Sequence, residues 1–216
     1  MPFSDHFFQT FDTEIEPVLP YLSGRVLNAG CGNRDITGTL TEHKATAVDN
    51  CDIASEIPGA VLCDLTAIPQ PAASYDSIFC NAVLEHVQFC DATMAEFHRL
   101  LKPGGHLVLC IPFLQPFHAS PTDFRRFTRD GMVELGRTHG FETVEVLPVH
   151  SMAQTITWIV WALLTEKRRH LTRLAVCLPL LLWCKLSKRT DFGIRENANA
   201  FQIVLRVPSA GAAATN

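Results

Sequence analysis

Eight cysteines occur in this chain of 216 residues, yet no two stand in a Cys-x-x-Cys pair. That absence argues against a zinc or disulfide framework; the set fits small buried hydrophobes in a reducing compartment, and no metal-ligand set is expected. The first residues lack a basic segment followed by an apolar one and carry Asp5, Asp12, Glu14 and Glu16 instead. No secretory signal is expected, and the expected location is cytoplasmic. No apolar run reaches the ~18 uncharged residues of a membrane-spanning helix. Positive charge is scarce in residues 1–150, where 9 Lys+Arg face 19 Asp+Glu for a net −10. Such an acidic body argues against nucleic acid as its partner, since phosphate binding needs basic patches. Residues 151–216 reverse the sign, with 9 Lys+Arg against 3 Asp+Glu for a net +6.

What is present is a chain with 47% apolar residues, long enough for one domain plus an appendage. Its most informative stretch is Val26-Leu27-Asn28-Ala29-Gly30-Cys31-Gly32-Asn33. An apolar strand runs into two glycines, spaced so that backbone can pass a ligand without a Cβ in the way. Nineteen residues after Gly30, a second short strand (Ala45, Ala47, Val48) ends on Asp49. That offset is close to the ~20 residues at which an acidic side chain meets a nucleoside ribose. A dinucleotide fingerprint needs Gly or Ala at position 35, which is Asp35, and no Walker lysine follows. The expected ligand is a nucleoside without a pyrophosphate, and a nicotinamide enzyme is disfavoured.

Further along, Phe3, Phe7, Phe8 and Phe11 recur at helical spacing, either packing on the core or covering the ligand. A short helix follows Gly32. Asp91 is the expected N-cap of a helix whose apolar face is Met94, Phe97 and Leu101, stopped by Pro103-Gly104-Gly105. Residues 106–111 are near-continuously apolar, as in a strand buried on both faces. A helix from Thr128 to Gly140 and a strand over 141–147 complete the alternation, which predicts a doubly wound parallel sheet.

Several ordered motifs give the chain a resemblance to the class I S-adenosylmethionine-dependent methyltransferases, type 11 branch. They are Leu27-Asn28-Ala29-Gly30-Cys31-Gly32, Val48-Asp49, Cys63-Asp64-Leu65, Tyr75-Asp76-Ser77-Ile78-Phe79 leading to Val83-Leu84-Glu85-His86-Val87, and Leu100-Leu101-Lys102-Pro103-Gly104-Gly105. The resemblance covers roughly residues 20–148. It departs at Asn28, where the family has an acidic residue, and at Asn33, where it has a third glycine. The resemblance implies a Rossmann-like sheet of about seven strands, mostly parallel with an antiparallel last strand over 200–207. It also implies S-adenosyl-L-methionine as cofactor, with Asn28 ending the first strand and Gly30 and Gly32 along the methionine part. Asp49 would accept from the ribose hydroxyls, Asp64 from the adenine amino group, Leu65 would pack on the ring, and Asn81 and Ala82 would line the methionyl side.

The expected organisation is an N-terminal helical lid over 1–24, a cofactor-binding core over 25–148, a helical insertion over 149–198, the final strand over 199–207 and a disordered tail. The insertion holds two apolar stretches, 156–164 and 174–184, separated by Lys167-Arg168-Arg169 and carrying all three tryptophans. That pattern fits helices at a membrane surface, a pair packing on the domain or forming a dimer contact, or, least well, a spanning hairpin. The sixth strand is expected to run parallel to its neighbours, so the insertion should leave from the ligand edge of the sheet. In the loops after the fourth and fifth strands, His86 and His118 are the candidate bases, because imidazole titrates near neutral pH. Arg125 and Arg126 could grip an anionic substrate. The expected activity is in-line methyl transfer to a small-molecule or lipid-linked acceptor; the alternative is a non-catalytic S-adenosylmethionine-binding scaffold.

Overall fold

The computed structural model describes residues 11–150 and 198–209, with isolated helical positions between 155 and 183. The expectations for Phe3, Phe7, Phe8, Trp158, Trp161 and the 167–169 basic run lie outside the described residues. Among those described, no helix is long and apolar enough to cross a membrane.

Helix α1 (Phe11–Ile15) and a 3-10 turn (Glu16–Tyr21) lead into strand β1 (Ser23–Ala29). There follow α2 (Thr37–Thr41), β2 (Lys44–Asp52), β3 (Val61–Leu62), β4 (Tyr75–Asn81), α3 (Cys90–Leu100), β5 (Leu101–Pro112), α4 (Arg129–Thr138), β6 (Glu142–Val149) and β7 (Ala200–Arg206). The seven strands form one sheet in the order β3-β2-β1-β4-β5-β7-β6. The expected fold class is the one observed.

Side-chain alternation explains the three layers. Leu27, Ile78, Leu107, Leu109, Ile203 and Leu205 point to the face covered by α3 and α4, where Met94, Phe97, Leu100 and Met132 close the core. Val26, Phe79, Val108 and Val204, each one residue out of phase, point to the other face and meet Ile15, Val18, Leu19 and Leu40. Central strands buried on both faces therefore read as continuous apolar runs. Burying a side chain such as Phe97, fully excluded from solvent, contributes about 1.5–3 kcal/mol.

Four details differ from expectation. Helix α3 ends at Leu100 and β5 begins at Leu101, so Pro103-Gly104-Gly105 lies inside the strand rather than stopping the helix. β2 does not stop at Asp49 but pairs with β1 through Cys51 and continues to Asp52, because β1 offers a parallel partner along its whole length. Helix α3 starts at Cys90 without a side-chain cap; Asp91 instead sits in its first turn, 3.0 Å from His139 Nε2. A carboxylate there still meets the positive helix end favourably. Strand β6 does not run parallel to a neighbour: its partner is β7, which is antiparallel to both β5 and β6. Ala200 nevertheless pairs with both Pro112 and Val149, so the chain leaves β6 and re-enters β7 at the edge where β5 ends. At the other expected helix, Thr128 is the N-cap, its hydroxyl accepting from Gly131 N at 3.1 Å.

Candidate functional site

A cleft of about 650 Å³ opens at the carboxyl ends of β1, β2 and β4. It lies where the chain order reverses, with β2 and β3 to one side of β1 and β4 and β5 to the other. Open α/β sheets bind ligands at such a switch point.

The β1–α2 loop makes its floor. Gly30 N and Cys31 N donate to Cys51 O at 2.8 and 3.1 Å, closing the turn onto β2. Both glycines have positive φ, but for different reasons. A Cβ on Gly30 would come within 2.4 Å of Val83 Cγ2, so packing of the β4 loop demands the glycine there rather than a ligand. Around Gly32 a Cβ would meet nothing within 4 Å: that position faces open cleft. Asn28 is buried, its amide donating to Asn50 Oδ1 at 2.8 Å and Arg34 O at 3.3 Å. Its amide thus braces the loop while the residue borders the cleft.

Of the other expected cofactor residues, Asp64, Leu65, Asn81 and Ala82 line the cleft. Asp64 Oδ1 accepts from Thr66 N at 2.8 Å and Thr66 Oγ1 at 2.7 Å. These bonds hold the carboxyl below the usual carboxylate range, so it stays an acceptor. Asp49 is not in the cleft wall. It lies three residues short of the strand end and is held by Arg25, whose Nη2 and Nε are 2.6 and 2.9 Å from Oδ2. The carboxylate at the end of β2 is Asp52, which sequence reasoning missed because the strand was ended too early. Asp52 lines the cleft, with Oδ2 accepting from Gly32 N at 2.7 Å and Oδ1 from Ala54 N at 3.0 Å. Phe11 also reaches the cleft, stacked under the Arg34 guanidinium at 4.3 Å, so this residue of the expected lid borders the site.

The opposite wall is built from the loops after β4 and β5, stitched together through backbone. Phe124 N donates to Glu85 O at 2.8 Å, Arg125 Nη2 to Gln88 O at 2.8 Å, and His86 Nδ1 to Thr122 O at 2.5 Å. His86 lines the cleft; His118 stands behind it, the two rings meeting edge to face at 5.3 Å. Glu85, given no role in the sequence beyond its place in the motif over 83–87, is the group between them. Its side chain is 0% exposed, with Oε1 3.7 Å from His86 Nε2 and 3.8 Å from His118 Nε2. Burial pushes this carboxyl up to about 7. Arg126, considered for substrate binding, is used internally. It grips both oxygens of Asp123 and donates to Pro116 O at 3.0 Å. The Asp123 carboxyl, with Arg126 on it and His118 N donating at 2.8 Å, is held far below the ordinary range.

Comparison with known proteins agrees with this geometry. Residues 27–109 match a family described as methyltransferase domain. No curated protein matches the chain. Among solved structures, a Burkholderia thailandensis 1,6-didemethyltoxoflavin-N1-methyltransferase, bound to 1,6-didemethyltoxoflavin and S-adenosylhomocysteine, aligns over 96% of this chain and 80% of its own. It does so at 16% identity with a TM-score of 0.60. A SAM-dependent methyltransferase from Archaeoglobus fulgidus aligns over 90% of this chain and 92% of its own, at 14% identity and TM-score 0.59. The [4+2]-cyclase SpnF aligns over 92% and 82%, at 17% identity and TM-score 0.64. At these identities the likeness shows the fold, and the cyclase shows that the fold also serves another chemistry.

Proposed function

We propose, on the premise that residues 27–109 carry the methyltransferase domain of the class I S-adenosylmethionine-dependent family, that this chain transfers the cofactor's methyl group to a small-molecule or lipid-linked acceptor. One observation carries the reading: a glycine loop, two carboxylates and a histidine from four separate segments converge on one cleft at the topological switch point. Asp52 is assigned to the ribose hydroxyls in place of Asp49, and Asp64 with Leu65 to the adenine. Gly32, facing open space at φ +51, is assigned to the methionine chain, with Asn81 and Ala82 beside the reactive methyl.

Bound there, the cofactor would supply a methyl group on a sulfonium, open to displacement by the acceptor's lone pair, with the neutral thioether as leaving group. The protein's work is to hold donor and acceptor in line, for which oriented binding supplies much of the acceleration. An acceptor that carries a proton must also lose it. The Glu85–His86–His118 group is assigned that role as a unit, since His86 borders the cleft and His118 reaches it only through that group. The acceptor's apolar part is assigned to the insertion, which starts and ends at the cleft edge of the sheet and whose Leu178 and Leu182 are each 58% exposed. Calorimetric titration with S-adenosylmethionine, followed by turnover with a labelled methyl donor against soluble and lipid extracts, tests the proposal. Cofactor binding without label transfer to any extract favours the scaffold alternative.

A further inference from the structure

The geometry points to a binding site for one divalent transition-metal cation, formed by Glu85, His86 and His118 at the acceptor end of the cleft. The inference rests on the proposed function only for what enters the cleft; the cation follows from these side chains alone. Neither oxygen of the Glu85 carboxylate, 0% exposed, has a hydrogen-bond partner among the described residues. A buried carboxylate left without donors is costly, and such orphaned groups call for a missing partner.

The two imidazoles do not supply the missing donors: each Nε2 stands beyond hydrogen-bond reach of the carboxylate. His86 Nδ1 lies 2.5 Å from Thr122 O, and His118 Nδ1 lies 3.0 Å from Pro116 O. A carbonyl only accepts, so each Nδ1 carries a proton, and in the neutral ring each Nε2 is a lone pair. Arg126 Nη2 lies 3.2 Å from His118 Nδ1, but its two hydrogens go to Pro116 O at 3.0 Å and Asp123 Oδ2 at 2.7 Å. Two lone pairs therefore face one carboxylate oxygen, at 3.7 and 3.8 Å. Those separations exceed hydrogen-bond reach, so a proton on Glu85 does not bridge them. They do suit ligands sharing a centre: two atoms each about 2.0–2.1 Å from a metal ion stand about 3.3–4.2 Å apart.

The three donor atoms lie within 4.8 Å of one another, close to the separations a shared cation requires, and would draw in on binding it. Two imidazoles and one carboxylate suit zinc, cobalt or iron(II) rather than magnesium or calcium, which prefer oxygen alone. The outer hydrogen bonds are those of metal-binding histidines, each holding its second nitrogen on a carbonyl. His86 also lines the cleft, so a cation held here borders the space left for the acceptor.

The full chain, stripped by chelator and dialysed against cobalt(II), tests the site. One cobalt per chain is expected, with visible absorption free of thiolate-to-metal charge transfer, which sets the eight cysteines aside. Glu85→Gln and His118→Gln should each weaken cobalt by more than the roughly 10–100-fold that loss of an outer hydrogen-bond partner costs. Either variant suffices if the other does not fold. Failure of the wild type to hold cobalt at one per chain, or equal binding by the folded variants, overturns the proposal. S-adenosylmethionine titrated into the wild type in parallel separates the two claims: cobalt held without cofactor binding keeps the cation site and removes the methyltransferase reading, and the reverse does the opposite.

Discussion

The two walls of the cleft treat their carboxylates in opposite ways. On the β1–β2 side both acidic groups of the wall are satisfied, Asp52 by Gly32 N and Ala54 N and Asp64 by Thr66, as is Asp49 outside it by Arg25. On the β4–β5 side Asp123 is satisfied by Arg126, yet Glu85, equally removed from water, has no hydrogen-bond partner for its carboxylate among the described residues. A satisfied carboxylate is fixed in its ionised form and suits recognition of hydroxyl and amino groups. An unsatisfied one is poised to take a proton or a cation. In the proposed function, binding of the cofactor and handling of the reacting atoms are thus divided between the walls.

The largest expected effect tests whether the first wall is rigid for packing or for ligand. Gly30→Val puts a side chain into Val83 at a positive φ, which should cost at least about 3 kcal/mol and leave little folded protein by circular dichroism. Gly32→Ala, in open space, should stay within about 1–2 kcal/mol of wild type while losing cofactor affinity. Equal melting temperatures for the two would erase the distinction.

Next, Asp52→Ala should weaken S-adenosylmethionine at least about tenfold, since each hydrogen bond to a charged group contributes about 1.5–3 kcal/mol. Asp49→Ala, which removes an ion pair outside the cleft, should change it less than about threefold. A calorimetric titration giving the reverse order would restore the original assignment to Asp49.

The contrast on the second wall has a signature in pH. Glu85 binds its proton more tightly folded, at about 7, than at its ordinary value of 4.5, so the folded state takes up protons that the unfolded chain does not. Stability of the chelator-treated protein should therefore be fullest below about 4.5 as far as Glu85 is concerned and fall as pH rises through 7. Asp123 acts oppositely: its contribution is present above its ordinary 3.8 and is lost as pH falls well below that value. Denaturant midpoints across this range should show a decline toward neutral pH that Glu85→Gln removes; a decline surviving that change would assign it elsewhere.

The smallest effect concerns the insertion. Basic residues at an anionic bilayer contribute about 1 kcal/mol each, so flotation with anionic vesicles should capture the wild type more than a variant with Lys167, Arg168 and Arg169 changed to Ser. No capture of either would leave the insertion to a packing or dimer role.

The alternation of strands and helices was legible in the sequence because runs such as 106–111 bury both faces, and Thr128 and Gly140 mark helix ends by local chemistry. The glycine loop was legible for the same reason: two residues with positive φ leave a local trace. The end of β2 was not, since a strand stops where its neighbour stops pairing, and Asp52 became the cleft carboxylate only through β1. Glu85 was harder still. Its burial and its lack of donors depend on His118, Thr122 and Phe124, more than thirty positions away, folding back over the β4 loop. Local conformational preference and apolar periodicity thus determined the fold, and the ordered motifs the family resemblance, while the long-range closure of two loops decided which carboxylate reaches the cleft and which is left without a partner among the described residues. Electrostatic state depends on what surrounds a group in space, and sequence neighbours carry little of that information.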